Sequence, residues 1–271
     1  MKKVLIPTDF SDTSKNAAIF AVQALEHAKD VNIILYNIHK PGNSESSSSS
    51  QSNRASIINQ ALEQLKNDLL KVADVNISYT TEAGSSLVET TERYVRHNGI
   101  DLIIMGITGA TKLEQIFMGS NTLDMIEKSI CPVMIIPPDA KFSAIKDVVL
   151  ASDFKDVNVS TPLAPIKKVL ELFNPALHIV NVDPEHYVEI TEEYKVERNK
   201  LEDMFKEYNP EFYFIRQYDF LEAISQFVVD KKIDLIFTVP KKQGFLKDLF
   251  KTSHTKKLAY HSRVPIVAIQ E

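Results

Sequence analysis

The sequence predicts an α/β protein built as two tandem copies of one unit, each a parallel β-sheet with helices on both faces. Two observations carry that reading. Short segments rich in Val, Ile and Leu alternate with helical patterns along the whole chain. Strand–helix alternation implies right-handed crossovers and a parallel sheet, whose strands are buried on both sides and so read as continuous apolar runs. The second observation is an internal repeat. Lys3-Val4-Leu5-Ile6-Pro7-Thr8-Asp9-Phe10 matches Asp147-Val148-Val149-Leu150-Ala151-Ser152-Asp153-Phe154 at an offset of 144 residues, and the same offset lays Asn37-Ile38 on Asn181-Val182. Asp101-Leu102-Ile103-Ile104 matches Asp234-Leu235-Ile236-Phe237 at an offset of 133, which still holds at Cys131-Pro132-Val133 and Val264-Pro265-Ile266.

Taken in order, the first half places strands near 2–8, 31–38, 75–81, 100–106 and 132–137, with helices near 13–29, 54–72, 85–97 and 119–129. Ala17, Ala18, Ala21, Val22 and Leu25 give the first helix its apolar stripe, and Ser11 is its expected N-cap, with Ser14 in competition. The second half repeats the order with strands near 146–152, 176–182, 211–217, 233–239 and 264–269. The two offsets differ by 11 residues, so the first half carries that much more chain between positions 40 and 101. The tract Asn43-Ser44-Glu45-Ser46-Ser47-Ser48-Ser49-Ser50-Gln51-Ser52-Asn53 lies in that window, has nothing apolar to bury, and is expected to be a mobile loop that accounts for the difference. The boundary falls in Pro137-Pro138-Asp139-Ala140-Lys141, which gives expected domains 1–140 and 141–271.

Composition bounds the function. With 44% apolar and 25% charged residues, the 271-residue chain reads as an ordinary soluble globular protein of one large or two small domains. No apolar run reaches the roughly 18 residues of a membrane helix, and the N-terminus lacks a signal-peptide pattern, so no membrane is expected. A single cysteine, Cys131, cannot form an internal disulfide, and a cytoplasmic location is the expectation; the thiol itself reads as buried and structural. A net charge of −5 argues against nucleic acid as the main partner. Seven glycines in 271 residues is far below the usual level of about 7%, which excludes collagen-like and propeller readings and makes any spaced glycine set informative.

Such a set exists. The fourth strand runs into Gly106-Ile107-Thr108-Gly109, and after nine further residues Gly119-Ser120-Asn121 opens a helical pattern. Ligands of open α/β sheets bind beyond the carboxyl ends of the strands. Glycine lets backbone N–H groups approach a ligand closely, and a helix N-terminus favours phosphate. Pro7-Thr8-Asp9 and Asn37-Ile38-His39 end the first and second strands at the same edge. No Gly-x4-Gly-Lys-Ser/Thr or Gly-x-Gly-x-x-Gly motif occurs, so P-loop and dinucleotide chemistry have no support. No closely spaced Cys or His set marks a metal site.

The spacing Gly-x2-Gly-x9-Gly-Ser resembles the nucleotide-binding signature of the universal stress protein family, as do Asp9 with Ser11 and Ser14, the segment Asp101 to Gly106, and Cys131-Pro132-Val133. The resemblance covers nearly the whole chain as two copies. It implies an adenine-nucleotide alpha hydrolase-like fold, with five parallel strands in the order 3-2-1-4-5 in each copy. It also implies an ATP site in which Asp9 lies at the adenine–ribose end and the Ile38 backbone contacts adenine. Gly106, Gly109, Gly119, Ser120 and Asn121 would hold ribose and phosphates, with Pro7, Thr8 and Met105 as walls. AMP and ADP stay open as the nucleotide, and so does a magnesium ion. The resemblance further implies an internal pseudo-dimer of the two copies, with a homodimer and a protein partner open, and a role in stress-response signalling. A slow ATPase or nucleotidyl-transfer enzyme is the first alternative, although no base or metal carboxylate stands convincingly at the phosphates. A nucleotide-free scaffold is the second.

The second half departs from the motif. Val239, Lys242 and Thr252 stand at the glycine positions, and only Ser253 keeps its counterpart, Ser120. Pro240 removes a donor where the loop starts. Asp153 survives, Ser11 is replaced by Lys155, and Pro162 and Pro165 push the next helix later. This copy is expected not to bind ATP in the family manner, leaving it a structural or regulatory role. Its loop carries Lys241, Lys242, Lys247, Lys251, Lys256 and Lys257, a solvated basic face or a docking patch for an anion.

Overall fold

A computed structural model describes residues 1–41, 48–107, 120–183, 191–239 and 264–270. The chain divides into two compact units, one drawn from residues 1–142 and one from Ser143 onward. The N-terminal unit contains β1 (Lys2–Pro7), α1 (Asp12–Leu25), β2 (Val31–His39), α2 (Ser48–Leu70), β3 (Ile77–Ala83), α3 (Leu87–Asn98), β4 (Leu102–Gly106), α4 (Ser120–Lys128) and β5 (Val133–Ile136). Its strands lie in the order β3-β2-β1-β4-β5, all parallel, as the repeat and its resemblance imply. β1 occupies the centre because Val4, Leu5 and Ile6 are apolar on both faces and wholly buried.

The C-terminal unit repeats the plan with β6 (Asp147–Ala151), α5 (Val157–Ser160), α6 (Leu163–Phe173), β7 (Ala176–Val182), α7 (Glu192–Met204), β8 (Glu211–Ile215), α8 (Phe220–Lys231), β9 (Leu235–Thr238) and β10 (Ile266–Ala268). Its parallel order is β10-β9-β6-β7-β8, the same arrangement read from the other edge. Its core gathers Val149, Val180, Ile224, Val228, Ile236 and Ile266 between sheet and helix.

Two details correct or extend the sequence reading. The serine tract is not a loop throughout: residues 48–53 belong to α2, and 42–47 lie outside the described residues. Serine is a poor helix former, but the buried positions Leu62, Leu65 and Leu69, spaced by three and four, anchor the helix whose first turns the serines form. The extra length of the first half therefore sits largely in a helix of 23 residues against the 13 of α7. In the second half the helix after β6 is interrupted as expected. A single turn, α5, ends at Ser160, and α6 begins only after Pro162.

Candidate functional site

The carboxyl ends of β1, β2 and β4 meet at one edge of the N-terminal sheet, and the local chemistry there follows from a turn. Thr8 continues the β1–β2 ladder by one bond, from its N–H to the Tyr36 carbonyl at 2.8 Å. Phe10 then takes φ 64°, a left-handed conformation that carries a cost for a bulky side chain. Three bonds hold the turn: Phe10 N–H to Thr8 Oγ1 at 3.1 Å, Ser11 N–H to Asp9 Oδ1 at 3.0 Å, and Ser11 Oγ–H to the same oxygen at 2.5 Å. Ser11 also caps α1, as expected, by accepting from the Ser14 N–H at 3.3 Å.

The turn leaves part of β2 without its neighbour. In a parallel ladder the Thr8 carbonyl and the Phe10 N–H would pair with the Ile38 N–H and carbonyl. Both are diverted. Asn37 Nδ2 donates to the Thr8 carbonyl at 2.8 Å, and the Phe10 N–H turns back to the Thr8 hydroxyl. His39 faces β3 instead, its carbonyl accepting from the Gly84 N–H at 2.9 Å. Among the described residues, nothing in the chain takes up the Ile38 N–H or carbonyl on the β1 side. One donor and one acceptor thus stand side by side on a rigid strand edge. Ile38 is fixed from behind: a Cβ added to Gly84 would meet its Cγ2 at 3.1 Å and collide with the buried Thr90 hydroxyl of α3.

The remaining expected residues sort into three groups. Pro7, Thr8 and Met105 are buried, and Thr8 shares a further hydrogen bond with Ser14 Oγ at 3.1 Å. Asp9 is exposed at the mouth of the site. Partial burial pushes its carboxyl up, but the bonds from the Ser11 hydroxyl and N–H, with help from Ser14, outweigh this, and its pKa lies below the usual carboxylate value. Gly106 ends β4 beneath the first turn of α1, where a Cβ would stand 2.6 Å from the Thr13 carbonyl oxygen. Its lack of a side chain is thus required by helix–strand packing, whatever it does for a ligand. Asn121 is exposed in the first turn of α4, whose first residue is Ser120. Gly109, Gly119, Lys112 and the basic segment 241–257 lie outside the described residues, as does the hydroxyl of Ser120.

Asn37 is the residue that sequence reasoning placed at the strand end but gave no role. It is buried, and its amide is what frees the Ile38 backbone by engaging the Thr8 carbonyl. The available signal was an asparagine inside an apolar strand, repeated at Asn181. His39, beside Ile38, shares a hydrogen bond with Thr81 Oγ1 at 3.0 Å through Nδ1. Cys131 is half-buried rather than buried, with Sγ 3.6 Å from Ser129 Oγ. Among the described residues no group of three potential metal ligands gathers, and no helix is long and apolar enough to cross a membrane.

The same turn recurs at the end of β6 without the Ser11 hydroxyl bonds, since Lys155 stands at that position. Phe154 has φ 52°, and its N–H donates to Ser152 Oγ at 3.2 Å. The Lys155 N–H donates to Asp153 Oδ1 at 3.1 Å, Asn181 Nδ2 to the Ser152 carbonyl at 3.0 Å, and the Ser152 N–H to the Val180 carbonyl at 2.9 Å. Asp101 and Asp234 also match, each accepting a backbone N–H at the start of the central strand, from Lys3 at 3.0 Å and from its counterpart Asp147 at 3.1 Å.

Comparison with known proteins finds related sequences and a like fold. The model of the universal stress protein family matches residues 1–137. Universal stress protein MJ0531 of Methanocaldococcus jannaschii is 29% identical over 150 residues, covering 52% of this chain and 84% of that protein. Universal stress protein MJ0577 of the same organism is 27% identical over 153 residues, covering 50% of this chain and 94% of that protein. The crystal structure of a universal stress protein from Archaeoglobus fulgidus superposes with a TM-score of 0.65 over 99% of this chain and 96% of that one, at 17% identity, a likeness of fold.

Proposed function

The chain belongs to the universal stress protein family, and from that membership we propose that its N-terminal domain, residues 1–140, binds an adenine nucleotide, ATP before ADP or AMP. The observation that carries the reading is the Ile38 backbone. Its N–H and carbonyl, left unpaired when β1 turns away, offer a donor and an acceptor to the acceptor N1 and donor N6 of an adenine edge. Asp9 at the mouth would face the ribose. Gly109 and Gly119 would let backbone N–H groups reach the phosphates, with Ser120 and Asn121 adding polar contacts from the helix N-terminus. A magnesium ion, if bound, would sit on the phosphates and neutralise their charge.

The domain of residues 141–271 is proposed to bind no nucleotide and to serve a structural or regulatory role, so that the chain works as a nucleotide-dependent signalling module in the stress response rather than as an enzyme. Ile38→Pro tests the carrying observation. It removes an N–H that bonds nothing among the described residues, so strand pairing survives while ATP affinity falls by about tenfold, the worth of one good hydrogen bond. Gly109→Val or Gly119→Val should abolish ATP binding altogether. Isothermal titration with folded Gly109→Val that returns wild-type affinity would remove the reading in favour of a nucleotide-free scaffold.

A further inference from the structure

The turn that opens β2 to a ligand is repeated at β7, yet the two mouths are not alike. In the N-terminal unit Asp9 is exposed and Phe10 half-buried. In the C-terminal unit Phe154 is 2% exposed, covered by Phe214 and Phe212 of β8 and by Tyr194 from the first turn of α7, itself 8% exposed. The Phe154 and Tyr194 rings meet edge to face with centroids 5.9 Å apart. The Tyr194 hydroxyl donates to Asp183 Oδ2 at 3.0 Å. Asp183 follows Val182 as His39 follows Ile38, and its N–H pairs outward with the Ile215 carbonyl at 3.1 Å, so the Val182 backbone faces the gap left by β6 as Ile38 faces the gap left by β1. The phenol also feels a hydrogen bond from Asn181 of β7 and, from the β6 side of that gap, the charge of Asp153. Burial first, and then Asp183, push its pKa up to about 12, so the ring stays neutral at any physiological pH. A flat ring therefore rests on Phe154 and Phe214 with its hydroxyl at the ends of β6 and β7, held there by the residue next to the open strand edge.

We propose that the C-terminal unit keeps the purine-sized half of the site and that the chain fills it with its own Tyr194, which stands in for the base of a nucleotide. This rests on the proposed adenine site of the N-terminal unit for the identity of the place. The phosphate-binding half is gone with the glycines, so the latent ligand is a nucleoside or free purine rather than a nucleotide. α7 carries Tyr194 at its N-terminal end and is tied to the turn by Glu197 Oε2, which accepts from the Val157 N–H at 2.8 Å. The helix is thus anchored beside the site independently of the ring, and the site can outlast the loss of its occupant.

Equilibrium dialysis of the full chain with adenosine tests this, comparing wild type, Tyr194→Ala and Tyr194→Phe. Tyr194→Ala is expected to bind one more adenosine per chain than wild type, with a dissociation constant on the order of 0.1–1 mM, and Tyr194→Phe, which keeps the ring, to bind no more than wild type. Counts of one and two support both the adenine site and the filled site. Counts of none and one overturn the adenine site while leaving the filled site standing. Equal counts in wild type and Tyr194→Ala, or an extra adenosine in Tyr194→Phe, overturn the filled site. Should Tyr194→Ala fail to fold, fluorotyrosine resonances of the wild-type chain decide. The Tyr194 signal is expected to stay in place at saturating adenosine, and its displacement would overturn the proposal.

Discussion

The two units share a turn and differ in what lies over it. In both, a strand ends in Thr or Ser followed by Asp and Phe, the Phe takes a left-handed conformation, and an asparagine on the next strand takes the carbonyl that the ladder would have used. In both units, including the one without the glycine motif, the Asp and Asn at these positions bond the backbone of the turn itself. The aspartate is therefore not, alone, a mark of nucleotide binding. What separates the units is the space above: a half-buried Phe10 in one, and a buried Phe154 under Tyr194, Phe212 and Phe214 in the other. A second difference is linked to it. Gly106 must lack a side chain because the first turn of α1 rests on it, whereas its counterpart Val239 is tolerated in a unit whose equivalent helix is broken at Pro162.

This comparison can be broken at several points, and the largest effect belongs to the two phenylalanines. Phe154→Ala should cost about 3–5 kcal/mol, the usual cost of emptying a buried aromatic position, whereas Phe10→Ala, on a half-buried ring, should cost about 1 kcal/mol or less. Hydrogen exchange of the strands in each unit would read the two separately, and equal losses would mean that the mouths are not different. Next is Gly106→Val, expected to destabilise the N-terminal unit by about 1–3 kcal/mol through overpacking against the Thr13 backbone. Val239→Gly in the other unit should change stability by about 1 kcal/mol or less. Urea denaturation distinguishes them.

The asparagines should behave alike. Asn37→Leu and Asn181→Leu each leave a buried carbonyl without its donor and should each cost about 1–3 kcal/mol. A loss confined to Asn37→Leu would show that the shared turn is not shared in energy. The smallest expected effect is a pH dependence. The Asp9 carboxyl titrates below its ordinary value in the folded chain, so its ionised form favours folding. That contribution is complete above the unfolded value and is lost as pH falls through the folded one. Acid titration of wild type against Asp9→Asn should therefore show a small extra loss of stability below about pH 4 in wild type alone, and parallel curves would contradict it.

Much of this was legible in the sequence, for reasons that the elements make plain. The element sequence followed from apolar runs and from the repeat, because a buried parallel strand leaves a composition that polar segments cannot imitate, while the strand order came only with the family resemblance. The Ser11 cap and the broken helix after Pro162 followed from local chemistry. The helical start at Ser48 was not legible, since serine carries no helix signal and the anchor, Leu62 to Leu69, lies turns away. Nor was the left-handed backbone of Phe10 and Phe154, because nothing in a phenylalanine announces positive φ. The two mouths diverge through Tyr194, which meets Phe154 from 40 residues away in the chain. A contact of that range leaves no trace in periodicity or spacing.

One unit open to an adenine nucleotide and the other closed is tested most directly by the number of nucleotides bound per chain. Native mass spectrometry of the wild-type chain in excess ATP should show one bound, and that one should disappear in Gly119→Val. Two bound per chain, or one that survives Gly119→Val, would contradict it.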